Sequence, residues 1–109
     1  MSNAWVTQVY PSITSSGVTV QSQGVRVHFI ELQNLATGAR NYVRFYNATA
    51  ATSGTTTADF LLVINADSNK EVQLEGGLSF YTGLIIDVAS TVTGASATAG
   101  GVLMSLALG

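Results

Sequence analysis

Apolar and polar side chains alternate along this chain in short period-two runs, and no window shows the three-and-four spacing of an amphipathic helix. Residues 102–108 put Val102, Met104, Leu106 and Leu108 on one side and Ser105 and Ala107 on the other. Residues 70–75 set Val72 and Leu74 against Glu71, Gln73 and Glu75. Successive side chains of a strand point to opposite faces, so each such run reads as a strand with one buried face. Gly, Ser, Thr and Asn separate the runs, as turns require.

Residues 5–10 alternate weakly and stop at Pro11, the one proline. Residues 17–23 place Val18 and Val20 against Thr19 and Gln21. Val25, Val27 and Phe29 then alternate with Arg26 and His28, after which the phase reverses and Ile30 and Leu32 become the apolar row. Such a reversal needs a bulge, a bend or burial of both faces. Residues 36–39, with Thr37 and Gly38, should turn the chain. In residues 41–47, Val43 and Phe45 face one way and Tyr42, Arg44 and Tyr46 the other. Residues 48–58, rich in Ala, Ser and Thr, read as an exposed loop. Residues 60–64 (FLLVI) are apolar in both rows, which predicts a central strand covered on both faces.

Residues 66–69 should form a turn, since Asn and Asp tolerate left-handed backbone. Gly76 and Gly77 are expected to end the strand before them, leaving Leu78 and Phe80 to anchor an irregular return. Leu84, Ile86 and Val88 form the next inward row, with Asp87 outward, and residues 90–101 make a small-residue loop. About eight strands in one domain predict an all-β fold, a jelly-roll-like antiparallel β-sandwich. Residues 1–23 would supply an N-terminal arm and the first strands, and residues 24–109 the sandwich body.

Charge narrows the function. Only 9% of the 109 residues are charged, against a usual figure of roughly 25%. Polarity comes instead from hydroxyls and amides, which can be buried once hydrogen-bonded where lone charges resist it. A skin of this kind suits a chain packed permanently against neighbours. The four cations, Arg26, Arg40, Arg44 and Lys70, form no basic stripe for phosphates, so nucleic acid is not an expected partner. No Lys or Arg precedes Arg26, so a signal peptide would lack its charged start, and no apolar run is long enough to cross a bilayer as a helix. Neither membrane nor cofactor is expected. The chain has no cysteine, which rules out disulfides and thiolate metal sites.

The candidates for chemistry read more simply as structure. His28, the single histidine, alternates with Arg26 on the polar side of a strand, and no Gly-x-Ser-x-Gly elbow accompanies it. Asp67, Asn69 and Glu71 resemble the start of a calcium loop, but Val72 and Leu78 stand where that loop needs Gly and Glu. A glycosidase would bring two of Glu31, Asp59, Asp67, Glu71, Glu75 and Asp87 together in a cleft, for which so small a sandwich offers little room. No enzyme is expected. Among the aromatics, Tyr42 and Tyr46 lie on one strand face and could form a sugar platform, or serve packing or a subunit interface, where Tyr is also enriched.

One stretch is more specific. Residues 41–50 (NYVRFYNATA), the Gly54 loop, residues 60–64, residues 71–78 (EVQLEGGL) and residues 80–84 (FYTGL) together resemble a family of small tailed-phage virion proteins. The resemblance spans about residues 24–92 and departs at Ala51 and residues 65–67, where the family pattern carries proline. It implies a β-sandwich serving as a capsid decoration (cement) protein on the head surface. The alternatives are a tail, baseplate or fibre accessory, or a carbohydrate-binding host-recognition module. The implied partners are the major capsid protein or another virion protein and further copies of the chain, a trimer in the first instance. The first twenty-odd residues have no counterpart in the family. Decoration proteins often use such a segment as an arm, so Trp5 and Tyr10 join Tyr42 and Tyr46 as candidate interface residues.

Overall fold

The computed structural model describes residues 6–35, 39–94 and 101–109, which form eight strands and no helix. They are β1 (Val6–Ile13), β2 (Val18–Gln21), β3 (Val25–Asn34), β4 (Asn41–Tyr46), β5 (Phe60–Ile64), β6 (Asn69–Phe80), β7 (Leu84–Ala89) and β8 (Val102–Leu108). β1 pairs with β8, β2 with β7, β3 with β6 and β4 with β5, all antiparallel. Those are the pairings of one long hairpin folded at its middle and rolled up. Two further pairings, β3 with β8 and β4 with β7, close the roll into two four-stranded sheets of order β1-β8-β3-β6 and β2-β7-β4-β5. The expected jelly-roll sandwich is the fold.

The core lies between the sheets. β8 delivers Val102, Met104, Leu106 and Leu108 to it, each 5% exposed or less, as its alternation requires. Opposite them β4 and β7 contribute Val43, Phe45, Leu84, Ile86 and Val88. Phe45 of one sheet stacks on Phe80 of the other with centroids 6.2 Å apart, and meets Phe60 edge-on at 5.3 Å. Each such side chain stabilises the sandwich by roughly 1.5–3 kcal/mol through removal from water.

The phase reversal in β3 is a bulge. Val27 faces Leu108 and Phe29 faces Ala107, so His28 is the extra residue, and Val27, Ile30 and Leu32 all reach the core. On the other side Val27 faces Leu78 while Phe29 faces Gln73, so residues 74–77 of β6 swell outward at the same level. Gly76 and Gly77, at φ +77° and +82°, therefore do not end the strand as expected; they bend it, and Leu78 and Phe80 belong to its continuation. A Cβ on Gly77 would stand 2.3 Å from Arg26 Cγ, because the Arg26 side chain crosses there. Arg26 donates from Nη1 to Gly76 O at 3.2 Å and from Nε to Ser79 Oγ at 3.2 Å, bracing the bulge.

Two further expectations change. β5 is an edge strand beside β4, not a central one, and its side chains are half-buried except for buried Ile64. β1 continues past Pro11 to Ile13, with a register shift between Tyr10 and Ile13; an edge strand can accommodate a residue without an N–H. Within residues 1–23, the stretch expected to supply an arm and the first strands, β1 and β2 are built into the two sheets. The turn before β6 forms as expected, with Asp67 left-handed at φ 54°. The turn expected at residues 36–39 and the loop at 90–101 fall partly outside the described residues.

Candidate functional site

Two regions depart from an ordinary sandwich: a covered ion pair on the outer face of the second sheet, and an uncovered flank along β1. The first is built by β4 and β7. Arg44 and Asp87 are opposite one another in register and point away from the core, as their alternation predicts. Asp87 nevertheless does not face solvent as expected. Loop segments following β4 and β7 fold over this face, leaving Arg44 2% and Asp87 4% exposed.

The guanidinium donates from Nε to Asp87 Oδ1 at 2.7 Å and from Nη2 to Asp87 Oδ2 at 2.9 Å. Nη2 also donates to Ser53 Oγ at 2.6 Å, and Nη1 donates to the carbonyls of Val92 and Gly94 at 3.2 and 2.7 Å. All five N–H groups of Arg44 are thus engaged. Tyr46, two residues along the same face, directs its hydroxyl at both Asp87 oxygens, at 3.0 and 3.1 Å. Among the described residues every buried side-chain nitrogen and oxygen has a partner. A buried pair so completely hydrogen-bonded offsets its desolvation, whereas a half-satisfied one would not.

Electrostatics follow from that burial. Loss of water pushes the Tyr46 hydroxyl up to about 12; the Asp87 charge adds to the shift and Arg44 opposes it. Burial alone would lower Arg44, but the hydrogen bond and charge of Asp87 outweigh it, and the guanidinium is held above its ordinary value. The cluster pins two loops to the sheet. Its oxygens are occupied by Arg44 and Tyr46, an arrangement suited to holding structure rather than to moving protons.

Tyr46 is 0% exposed, so of the readings open for Tyr42 and Tyr46 it takes packing, and it is available neither to a sugar platform nor to a subunit interface. Tyr42 is half-buried on the outer face, between Val63 and Ala89. The asparagine pair Asn34–Asn41 was not singled out from sequence. Asn41 Nδ2 donates to Asn34 Oδ1 at 2.9 Å, and Asn34 Nδ2 donates to Ala39 O, Ile64 O and Asn65 O, tying the ends of β3, β4 and β5 together. The only sequence signal for it was an amide closing one strand and another opening the next.

The second region is β1. Val6 is 60% and Val9 58% exposed, and Tyr10 is half-buried against the core with its hydroxyl donating to Gln8 Oε1 at 2.6 Å. Tyr10, a candidate interface residue, thus packs partly on the core of its own chain at the β1 edge, and Trp5 lies outside the described residues. The remaining carboxylates are scattered. Glu31 and Glu71 face each other across β3 and β6 beside a trough of about 500 Å³ that also meets Gln33, Asn69 and Leu103. Asp59 accepts from the Asn47 backbone N–H at 2.7 Å. His28 sits at the bulge beside Gly77. Among the described residues no group of three or more His, Asp or Glu could hold a metal ion.

No known protein-family model matches the chain, and no curated protein matches it.

Proposed function

We propose that this protein is a structural component of a tailed-phage virion, a decoration protein that binds the major capsid protein and reinforces the head shell. The observation that carries the reading is the charge-poor surface. The chain has four cations and six carboxylates, and Arg44 and Asp87 are paired inside, leaving eight charged side chains to cover the sandwich. A surface of hydroxyls, amides and uncovered valines is inexpensive to desolvate against neighbours. The sequence resemblance in residues 24–92 supports the same reading, and the jelly roll fits the sandwich it implies.

Decoration works by mass action. A protein that binds only the assembled shell stabilises it, and many modest contacts repeated by symmetry add up against the pressure of packaged DNA. The sugar-binding alternative is not carried forward, because Tyr46 is covered. The test is electron microscopy of particles labelled with an antibody against the chain. Label distributed over the heads is the expected result. Label confined to the tail, or absent from particles, overturns the decoration role.

A further inference from the structure

We propose that two copies of the chain join through β1, antiparallel about a two-fold axis at Gln8, so that their β1-β8-β3-β6 sheets continue as one. The four sheet edges are not equivalent. β6 carries Lys70, Glu71, Glu75 and the Gly76-Gly77 bulge, which block strand addition. β2 has four residues and a register shift between Thr19 and Gln21. β5 is apolar, but its Leu61 lines a cavity of about 250 Å³ together with residues 54–58 and 92–93 of the chain's own loops. The first half of β1 carries no charge, and Val6, Thr7 and Val9 are exposed there among the described residues.

No charged residue occurs before Arg26. Val6 stands in the inner row, opposite Leu108, and Val9 in the outer row, opposite Ser105. Their exposures of 60% and 58% leave an open apolar residue in each row of β1, while Gln8 and Tyr10 of the inner row are half-buried. Beyond Tyr10, Pro11 has no N–H to donate and the register shifts, so the segment open to pairing is residues 6–10.

The occupant follows from chemistry. A neutral strand has no field with which to select a charged partner, and its complement must be uncharged in both rows. The same segment of a second copy meets that need. With Gln8 on the axis, Val6 faces Tyr10 in the inner row and Thr7 faces Val9 in the outer row, pairs of β-branched and aromatic residues that suit a sheet. Gln8 faces Gln8, and an amide is both donor and acceptor. Every row is self-complementary, as an isologous interface requires. The result is a pair in place of the trimer that the resemblance implies.

Sedimentation velocity of the full chain over a wide concentration range reads this out, with circular dichroism and melting curves to verify that each variant is folded. The natural chain should pass from monomer to dimer as concentration rises. Gln8→Lys and Gln8→Glu each place like charges together on the axis and should weaken pairing at least tenfold, while an equimolar mixture of the two should restore it. Val9→Lys should also weaken pairing, and Glu71→Lys on the opposite edge should not. A chain that stays monomeric throughout, a trimer, or a dimer indifferent to the Gln8 variants overturns the proposal. The pair stands apart from the virion role: dimers that ignore phage heads would remove the role and leave the pair.

Discussion

Arg44 and Asp87 occupy opposite positions on adjacent strands, and the guanidinium grips both carboxylate oxygens, at 2.7 and 2.9 Å, beneath loops that hide the pair from water. The charges face outward by strand parity yet are covered, because the loops after β4 and β7 fold back and supply Ser53 Oγ, Val92 O and Gly94 O as acceptors. The cluster fixes the outer face of one sheet much as the apolar core fixes its inner face.

Removing one partner should therefore cost more than removing both. Arg44→Met strands a buried carboxylate and should destabilise the fold by about 3–5 kcal/mol. Combining it with Asp87→Leu should recover much of that loss, since an apolar pair leaves no orphan charge. Urea unfolding midpoints of the single and double variants check both statements.

Alkaline stability follows from the tyrosines. The Tyr46 hydroxyl is raised to about 12 from an ordinary 10, and burial raises Tyr10 as well. A raised value means that the folded state holds its proton more tightly than the unfolded state. The stabilisation is complete below pH 10 and is lost as pH climbs from 10 through 12, on the order of 3 kcal/mol for Tyr46. Tyr46→Phe should start less stable at pH 7, by about 1–2 kcal/mol for the lost hydrogen bonds, and decline less steeply above pH 10. Equilibrium unfolding at a series of pH values measures both slopes.

The two glycines of the β6 bulge should differ. Both have left-handed backbone, but a Cβ on Gly76 meets nothing within 4 Å, while one on Gly77 would stand 2.3 Å from Arg26 Cγ. Gly76→Ala should cost about 1–2 kcal/mol, the strain of a left-handed residue alone. Gly77→Ala should cost more, because Arg26 must also give up its hold on Gly76 O. Thermal melting of the two variants ranks them.

Much of the architecture was legible because alternation reports which face is buried. The β8 pattern reaches the core as written, and the reversal at Phe29 is a bulge, one of the three devices that period two allows. What alternation does not report is what lies beyond a strand. Residues 60–64 read as central because both rows are apolar, yet β5 ends its sheet and lines a cavity with loops of its own chain. Asp87 was assigned to the correct face, but its cover comes from segments distant in sequence. Alternation likewise leaves packing, interface and sugar platform all open for Tyr46, and the covering loops decide for packing. Gly76 and Gly77 announced irregular backbone without distinguishing a break from a bulge, a choice made by Arg26 across the ladder.

The assembly role rests on counting copies. In purified phage particles carrying the protein, quantitative mass spectrometry against the major capsid protein should find it in numbers comparable to the shell subunits, hundreds rather than a handful. A few copies per particle, or none, would contradict the account.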